Sequence, residues 1–95
     1  MDKEKLDGYL DDLYGLFLKL ETKEDCKALL EDLCTYKEVE QMALRAYAAK
    51  LFLSGKTYVE IIGDTELSSA TLSRVSRSLT HGSGGYAKFI DRSEK

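Results

Sequence analysis

The chain has 95 residues, of which a third are charged, and its formal net charge is −3 at pH 7. This length predicts one small domain near the lower limit for burying its own core, which a second copy could complete. No segment has the composition of a secretory signal or the apolar length of a membrane span, so the expected location is the cytoplasm. Cys26 and Cys34 lack metal-ligand spacing and are expected to be reduced core residues, with no metal site.

Two helices are predicted in the first 34 residues. Apolar residues from Asp2 to Leu20 recur at steps of three and four, which is typical of an amphipathic helix of about five turns. Thr22 and Asp25 then form a capping pattern for a shorter second helix that should end near Cys34. The first helix is apolar enough to need two neighbours. Its stripe consists of Leu6, Leu10, Leu13, Phe17 and Leu20.

A third helix is predicted to begin after Thr35, which fits a capping box with Glu38, and to stop at Ser54 and Gly55. Its alanines permit a close approach of neighbouring helices, so it is expected to be the central strut of the fold. Its expected apolar face consists of Val39, Met42, Ala43, Ala46, Tyr47 and Phe52.

The segment from Ser54 to Leu79 predicts two short helices joined by a tight turn. Thr57 and Glu60 fit a capping box, which places the start of the first helix at Tyr58. Gly63 is expected to break this helix after barely two turns, because glycine followed by turn-forming residues favours a change of chain direction.

The second helix of this segment has the pattern of a recognition helix, the element that enters the major groove of DNA. Leu67 supplies an apolar plug before it and Ser68 an N-cap. Short side chains near a helix start can approach base edges, and arginines further along can reach phosphates or guanine. A helical hairpin packed for stability alone is the alternative, and apolar spacing does not exclude it. The inward positions are Ala70, Leu72, Val75 and Leu79. The outward positions are Ser69, Thr71, Ser73, Arg74 and Arg77.

The acidic residues are concentrated outside this helical pair. Residues 1–53 contain eight basic and twelve acidic side chains, and residues 54–95 contain six and five, which together make the 14 and 17 of the whole chain. The charge distribution therefore permits a polyanion as partner without favouring one.

A glycine-rich stretch, THGSGGY, runs from Thr80 to Tyr86. Because no strand precedes it and no GK[ST] follows, a nucleotide-binding loop is rejected. Tyr86, Phe89 and Ile90 predict a short final helix that docks on the core.

On several of these stretches the chain resembles the Trp repressor family of bacterial transcription regulators, in particular its YerC/YecD-like branch. The resemblance implies an all-α, Trp-repressor-like helical bundle with a helix-turn-helix, assembled as an intertwined homodimer. It divides the single domain, 1–95, into a dimerisation core (1–53), the helix-turn-helix (54–79) and a glycine-rich turn with a short C-terminal helix (80–95). The stretches that carry it are DLCT at Asp32–Thr35, Arg45, GKTYVEI at Gly55–Ile61, SSATLSRVSRSL at Ser68–Leu79, and HGSGGY ending at Tyr86.

The resemblance also implies two kinds of binding site. A symmetric dimer would present its recognition helices about 34 Å apart to a palindromic operator on double-stranded DNA. The resemblance implies that the contacts with base edges are often mediated by water. The residues implied in DNA binding are Thr57, Ser68, Ser69, Ala70, Thr71, Ser73, Arg74 and Arg77. The residues implied around a small amphipathic co-regulator, by likeness to the tryptophan-sensing members, are Thr35, Arg45, Arg74 and Ser78.

Two positions depart from the tryptophan-sensing members. Val75 stands where they have glycine, and its branched side chain should narrow the ligand slot, so the expected co-repressor is a small molecule other than tryptophan. Glu66 stands in the turn, where many helix-turn-helix proteins use glycine, and its charge would be repelled by phosphate.

The leading hypothesis is therefore a sequence-specific DNA-binding transcriptional regulator, a repressor acting as a homodimer. The alternative is a helical, dimeric protein-interaction module with a degenerate helix-turn-helix, which the acidic net charge favours. An enzyme is not expected, because no catalytic set can be assembled around the single histidine, His81.

Overall fold

The computed structural model describes residues 1–90, which fold into α-helices and contain no strand. The all-α class predicted from the sequence is confirmed. The chain divides into two compact units, Met1–Tyr36 and Lys37–Lys95. The helices are α1 (Lys3–Phe17), α2 (Lys23–Leu33), α3 (Tyr36–Leu53), α4 (Tyr58–Thr65), α5 (Ser69–His81) and α6 (Gly85–Phe89).

The helix starts of the first unit are fixed by side-chain caps. The Asp2 carboxylate accepts a hydrogen bond of 3.0 Å from the Glu4 N–H, and the Thr22 hydroxyl accepts one of 3.0 Å from the Asp25 N–H. The Asp25 carboxylate reaches the Glu21 N–H instead of that of the cap residue, also at 3.0 Å. Such caps satisfy N–H groups that have no partner within the helix, so α2 begins where the capping pattern predicted.

The first helix is shorter than predicted. It ends at Phe17 instead of Leu20, because the chain leaves α-geometry through tighter bonds from Lys19 N–H to the Leu16 carbonyl and from Leu20 N–H to the Phe17 carbonyl. The second helix ends at Leu33 with Cys34 as its C-cap, in agreement with the prediction.

The first unit leaves its apolar side chains uncovered. No residue of α1 or α2 is buried, and Leu6 on the predicted stripe is 41% exposed. Cys26 and Cys34 are free thiols that are only half-buried in the single chain. The large exposed apolar side chains of α1 are Leu6, Tyr9, Tyr14, Leu16 and Phe17.

The second unit has a small, closed core to which α3, α4 and α5 all contribute. Ala48 and Ala49 of α3 are fully buried, which agrees with the close helix approach expected there. Half-buried side chains from α3 to α6 surround this core, among them Leu44, Phe52 and Tyr86. The core residues are Ala48, Ala49, Ile61, Leu67, Leu72 and Val75.

The face of α3 that was predicted to be buried is buried only in part: Val39, Met42 and Phe52 are half-buried in the single chain. Ala43, Ala46 and Tyr47 are exposed, and the helix packs through Ala48, Ala49 and their neighbours Leu44, Leu51 and Phe52. Both sets of residues have the three-and-four spacing of a helical stripe, because α3 is apolar on more than one side. Periodicity alone could not choose between them.

Gly63 does not end α4, contrary to the sequence prediction. The helix continues to Thr65, and its end is set by Glu66, which adopts a left-handed backbone with φ of 59° and ψ of 15°. The buried Thr65 hydroxyl donates to the Ile61 carbonyl at 2.8 Å and accepts from the Leu67 N–H at 3.3 Å. These bonds satisfy the polar groups at the turn and keep the helix intact past its glycine.

The last described helix is only partly docked as expected. Tyr86 and Ile90 pack against the core, whereas Phe89 is 79% exposed and lies under the Lys88 ammonium group, 5.3 Å from the ring centroid. Phe89 is one residue from Ile90, a rotation of about 100° around the helix. Residues 91–95, the end of the predicted C-terminal segment, lie outside the described residues.

Replacing Gly63 by alanine is expected to stabilise the protein. Gly63 lies inside α4, and a Cβ built on it meets nothing within 4 Å. An Ala side chain removes the conformational entropy of glycine from the unfolded chain, so the free energy of unfolding should rise by about 0.5–1 kcal/mol, measured by urea denaturation. Gly82→Ala is the matched control and should destabilise, because its Cβ would collide with the Ser78 carbonyl. Equal effects of the two substitutions would contradict this assignment.

Candidate nucleic-acid interface

A reciprocal capping box fixes the start of α4. The Glu60 N–H donates to the Thr57 hydroxyl at 3.3 Å, and the Thr57 N–H donates to the Glu60 carboxylate at 3.1 Å. The Thr57 hydroxyl also donates to the same carboxylate oxygen at 2.9 Å. Thr57, which the resemblance implies in phosphate binding, therefore has its hydroxyl proton directed at Glu60 in this structure.

The same box controls the charge of Glu60. The backbone N–H of Thr57, then its hydroxyl and more weakly the Lys56 ammonium group stabilise the carboxylate and lower the pKa of Glu60. The Lys56 ammonium nitrogen is 3.8 Å from the second carboxylate oxygen. Glu60 is thus held ionised at the N-terminus of α4, where a negative charge is favourable.

Ser68 caps α5 as predicted. Its hydroxyl oxygen accepts from the Thr71 N–H at 3.1 Å, and its proton goes to the Thr71 hydroxyl oxygen at 2.9 Å. Thr71 is half-buried by this arrangement, whereas Ser68 itself is exposed. Both residues belong to the implied DNA-binding set, and the cap makes them part of one hydrogen-bonded unit.

The remaining implied DNA-binding residues form an exposed face over the first two and a half turns of α5. Leu72 and Val75 are buried on the opposite side and anchor the helix in the core. Ala70, which was also predicted to point inward, is exposed, so the correct inward set is smaller than expected. The exposed residues are Ser69, Ala70, Ser73, Arg74 and Arg77.

The connection between α4 and α5 carries an unusual residue. Glu66 is the single non-glycine residue with positive φ among residues 1–90. For a residue with a Cβ, this left-handed conformation has a free-energy cost of order 1–3 kcal/mol. Its N–H donates to the Ile62 carbonyl at 3.3 Å, which closes α4 and turns the chain toward Leu67. Glu66 thus ends α4 in the left-handed conformation that glycine usually adopts at this position.

The residues implied in ligand binding are distributed over both units. Thr35 precedes the first residue of α3, Arg45 is half-buried within α3, and Arg74 and Ser78 are exposed one turn apart on α5. The grouping of these four residues around one ligand stays a prediction.

An open cleft lies at the end of α5. It has a volume of about 390 Å³ and is lined by Ser78 and the segment Gly82–Tyr86. Val75, which was expected to narrow the ligand slot, is buried in the core of the second unit and is not among the residues that line this cleft.

Sequence reasoning missed one residue of the helix-turn-helix. The Tyr58 hydroxyl at the start of α4 donates to the Ser69 carbonyl at 2.8 Å and lies 3.1 Å from the Ser73 hydroxyl. These contacts span 11 and 15 residues of sequence, so local pattern could not reveal them. The available signal was an aromatic residue with a hydroxyl group directly after a helix cap.

The comparison with known families agrees with this architecture. The family model described as Trp repressor protein matches residues 8–94. The chain belongs to the Trp repressor family. The predicted resemblance to this family and to its YerC-type members is confirmed.

Relatives of the Trp repressor family match along most of the chain. The Bacillus subtilis (strain 168) protein YerC, described as uncharacterized, is 39% identical over 93 residues, which are 97% of this chain and 89% of YerC. The crystal structure of a candidate Trp repressor from Staphylococcus aureus has a TM-score of 0.86 at 39% identity and covers 98% of this chain and 94% of its own. A TrpR-like protein from Eubacterium eligens ATCC 27750 has a TM-score of 0.81 at 33% identity and covers 85% and 84%.

Among residues 1–90, no group of three or more His, Cys, Asp or Glu side chains is arranged to hold a metal ion. Within the same residues, no helix combines the length and the apolar character needed to cross a membrane.

The capping box predicts a pH-dependent contribution of Glu60 to stability. Because the folded state lowers the pKa of Glu60, its contribution is present above the ordinary glutamate pKa and is lost as the pH falls through the lowered value. Glu60→Gln should therefore be less stable than the wild type at neutral pH. The two proteins should converge as the pH falls from the ordinary glutamate pKa through the lowered value, when measured by urea denaturation over a pH series. A difference that is constant with pH would contradict the ionic character of this box.

Proposed function

We propose that the chain is a homodimeric, sequence-specific DNA-binding regulator, and specifically a repressor that acts in the cytoplasm on a palindromic operator. The observation that carries the proposal is the two-sided character of α5. Its inner side is sealed in the core by Leu72 and Val75, and its outer side presents hydroxyl groups and arginines to solvent. This combination is what a helix needs in order to lie in the major groove and contact base edges and phosphates.

Local charge supports DNA as the partner despite the acidic chain. From Ser69 to His81, α5 contains Arg74 and Arg77 and no acidic residue. Phosphate contacts depend on the charges near the bound surface, because solvent ions screen charges more than about 10 Å away. The net charge of −3 therefore weakens steering of the whole molecule toward DNA more than it weakens the contact itself.

The uncovered apolar surface of α1 supports the dimer. A chain of this size gains stability by burying such side chains, and a second copy of the same chain offers an equally apolar surface. A dimer would also place two copies of α5 on one DNA duplex, as a palindromic operator requires.

A small-molecule co-regulator other than tryptophan is part of the proposal. Ser78, at the cleft that ends α5, is four residues from Arg74 and shares its side of the helix. A ligand held there would touch the same helix that contacts DNA. Titration calorimetry with tryptophan tests whether tryptophan is excluded as the co-regulator, since micromolar binding would show that the protein accepts it.

A protein-interaction module is the second candidate function. The observation in its favour is Val59 on α4, which is 79% exposed next to Ile62, another exposed apolar residue of the same helix. Stoichiometric capture of one protein together with no DNA retention at low salt would support it over DNA binding.

Arg74→Ala is expected to weaken operator binding by roughly 10- to 100-fold, because a good arginine contact is worth about 1–3 kcal/mol. Affinity should be measured by fluorescence anisotropy on duplexes selected from a random pool, and wild-type affinity should fall steeply as salt increases. Lys27→Ala on α2 is the matched control, since it removes one positive charge outside the proposed interface and should change affinity little. If the wild type shows no preference for selected over random duplex, specific recognition is ruled out.

Leu6→Glu is expected to dissociate the dimer. The change puts a negative charge on the apolar stripe. The helix itself should still form, because an acidic residue near the N-terminus of α1 is compatible with the helix dipole. Only the exposed 41% of Leu6 remains for a partner to bury, which is worth about 0.6–1.2 kcal/mol. A symmetric dimer carries the change twice, so the dimer dissociation constant should rise by roughly tenfold or more. Sedimentation equilibrium measures it. Lys5→Glu, a larger charge change on the polar side of α1, should remain dimeric, and equal dissociation of both variants would contradict this interface.

A further inference from the structure

The Tyr58 hydroxyl makes two hydrogen bonds but has only one proton to give. The Ser69 carbonyl can only accept, and it lies 2.8 Å from the Tyr58 oxygen, so the phenolic proton is directed there. The Ser73 hydroxyl lies 3.1 Å from the same oxygen. With the phenolic proton already used, Ser73 must be the donor in this second bond.

This assignment fixes what Ser73 can offer to solvent. A serine hydroxyl ordinarily donates one hydrogen bond and accepts others, so it tolerates either type of partner. Here its proton points back to Tyr58, and the lone pairs of an exposed hydroxyl oxygen remain. Ser73 is thereby converted from a tolerant group to an acceptor.

The Tyr58 ring is held firmly enough to impose this choice. It is half-buried against the core, and its centroid is 6.4 Å from that of Phe52 in α3, with the rings inclined at 53°. Tyr58 is the first residue of α4 and directly follows the N-cap Thr57, so its backbone is fixed as well. Three helices therefore meet at this side chain: α3 at the ring, α4 at the backbone and α5 at the hydroxyl.

We propose that Tyr58 is a positioning residue that makes Ser73 accept a hydrogen bond from an exocyclic amino group in the major groove. This inference rests on the proposed DNA-binding function. Adenine N6 and cytosine N4 are donors there, whereas guanine O6 and thymine O4 are acceptors. On the strand that Ser73 contacts, one position of each half-site should therefore be adenine or cytosine, and guanine or thymine should be rejected.

The test compares base preference in the wild type, Tyr58→Phe and Ser73→Ala. Each protein is titrated with the selected operator and with every single base-pair variant of one half-site. The wild type should favour adenine or cytosine over guanine or thymine by about tenfold at one position, as expected for one good base contact. Tyr58→Phe should reduce that ratio to about twofold or less, because Ser73 is then free to donate as well as to accept. Ser73→Ala should abolish the same ratio, and the double variant should add nothing further.

The controls separate positioning from stability. Tyr36→Phe removes a hydroxyl from the first residue of α3, where the side chain is 83% exposed, and should leave base preference unchanged. A merely structural role of Tyr58 would lower the melting temperature and weaken all duplexes by the same factor, leaving the ratio intact. That result overturns the inference, as does a preference for guanine or thymine at the position that Ser73→Ala affects. A wild type that selects no duplex at all overturns the proposed function itself, and the two failures are thereby distinguished.

Discussion

The close contact made possible by two alanines on α3 is the constraint on which the second unit depends. Ala48 and Ala49 are fully buried and have no bulk to hold the neighbouring helices away. Because α4 and α5 can approach α3 closely at these alanines, Ile61 from α4 and Leu72 from α5 pack in one core with them. Both α4 and α5 are short. Short helices are marginally stable alone, and most of their stability in a protein comes from packing of this kind. A larger residue at either alanine would separate α3 from the pair that forms the candidate DNA-binding surface.

The polar groups of the helix-turn-helix are arranged around this core so that most are already committed within the chain. Thr57 and Glu60 satisfy each other, Ser68 and Thr71 do the same at the next helix, and Thr65 bridges the turn. Hydroxyl groups that look available in the sequence therefore differ in what they can still offer. If α5 contacts DNA as proposed, its base contacts would depend on donor and acceptor roles set by neighbouring residues as well as on which residues are exposed.

Structural features that depend on neighbouring residues could be predicted from the sequence, whereas features that depend on contacts between distant residues could not. Starts of α2, α4 and α5 were located correctly, because a hydroxyl residue and the N–H groups that it caps lie within three residues of each other. The end of α4 was wrong, since Gly63 is compatible with a helix when the following residues are held by Thr65 and Glu66. The buried face of α3 was predicted only in part, because its two apolar stripes have the same period. Tyr58 was missed because its partners belong to another helix.

Glu66 combines two unfavourable properties in one side chain: a left-handed backbone that suits glycine and a negative charge beside a surface proposed to meet phosphates. A glutamate codon becomes a glycine codon by a single nucleotide change. Relief of the backbone strain and removal of the charge are thus one mutational step away, and the same step would affect both folding and the proposed DNA binding. Under the proposed function, the turn is therefore a point at which a single mutation would raise the affinity for all DNA, specific and nonspecific alike, without altering any residue of α5.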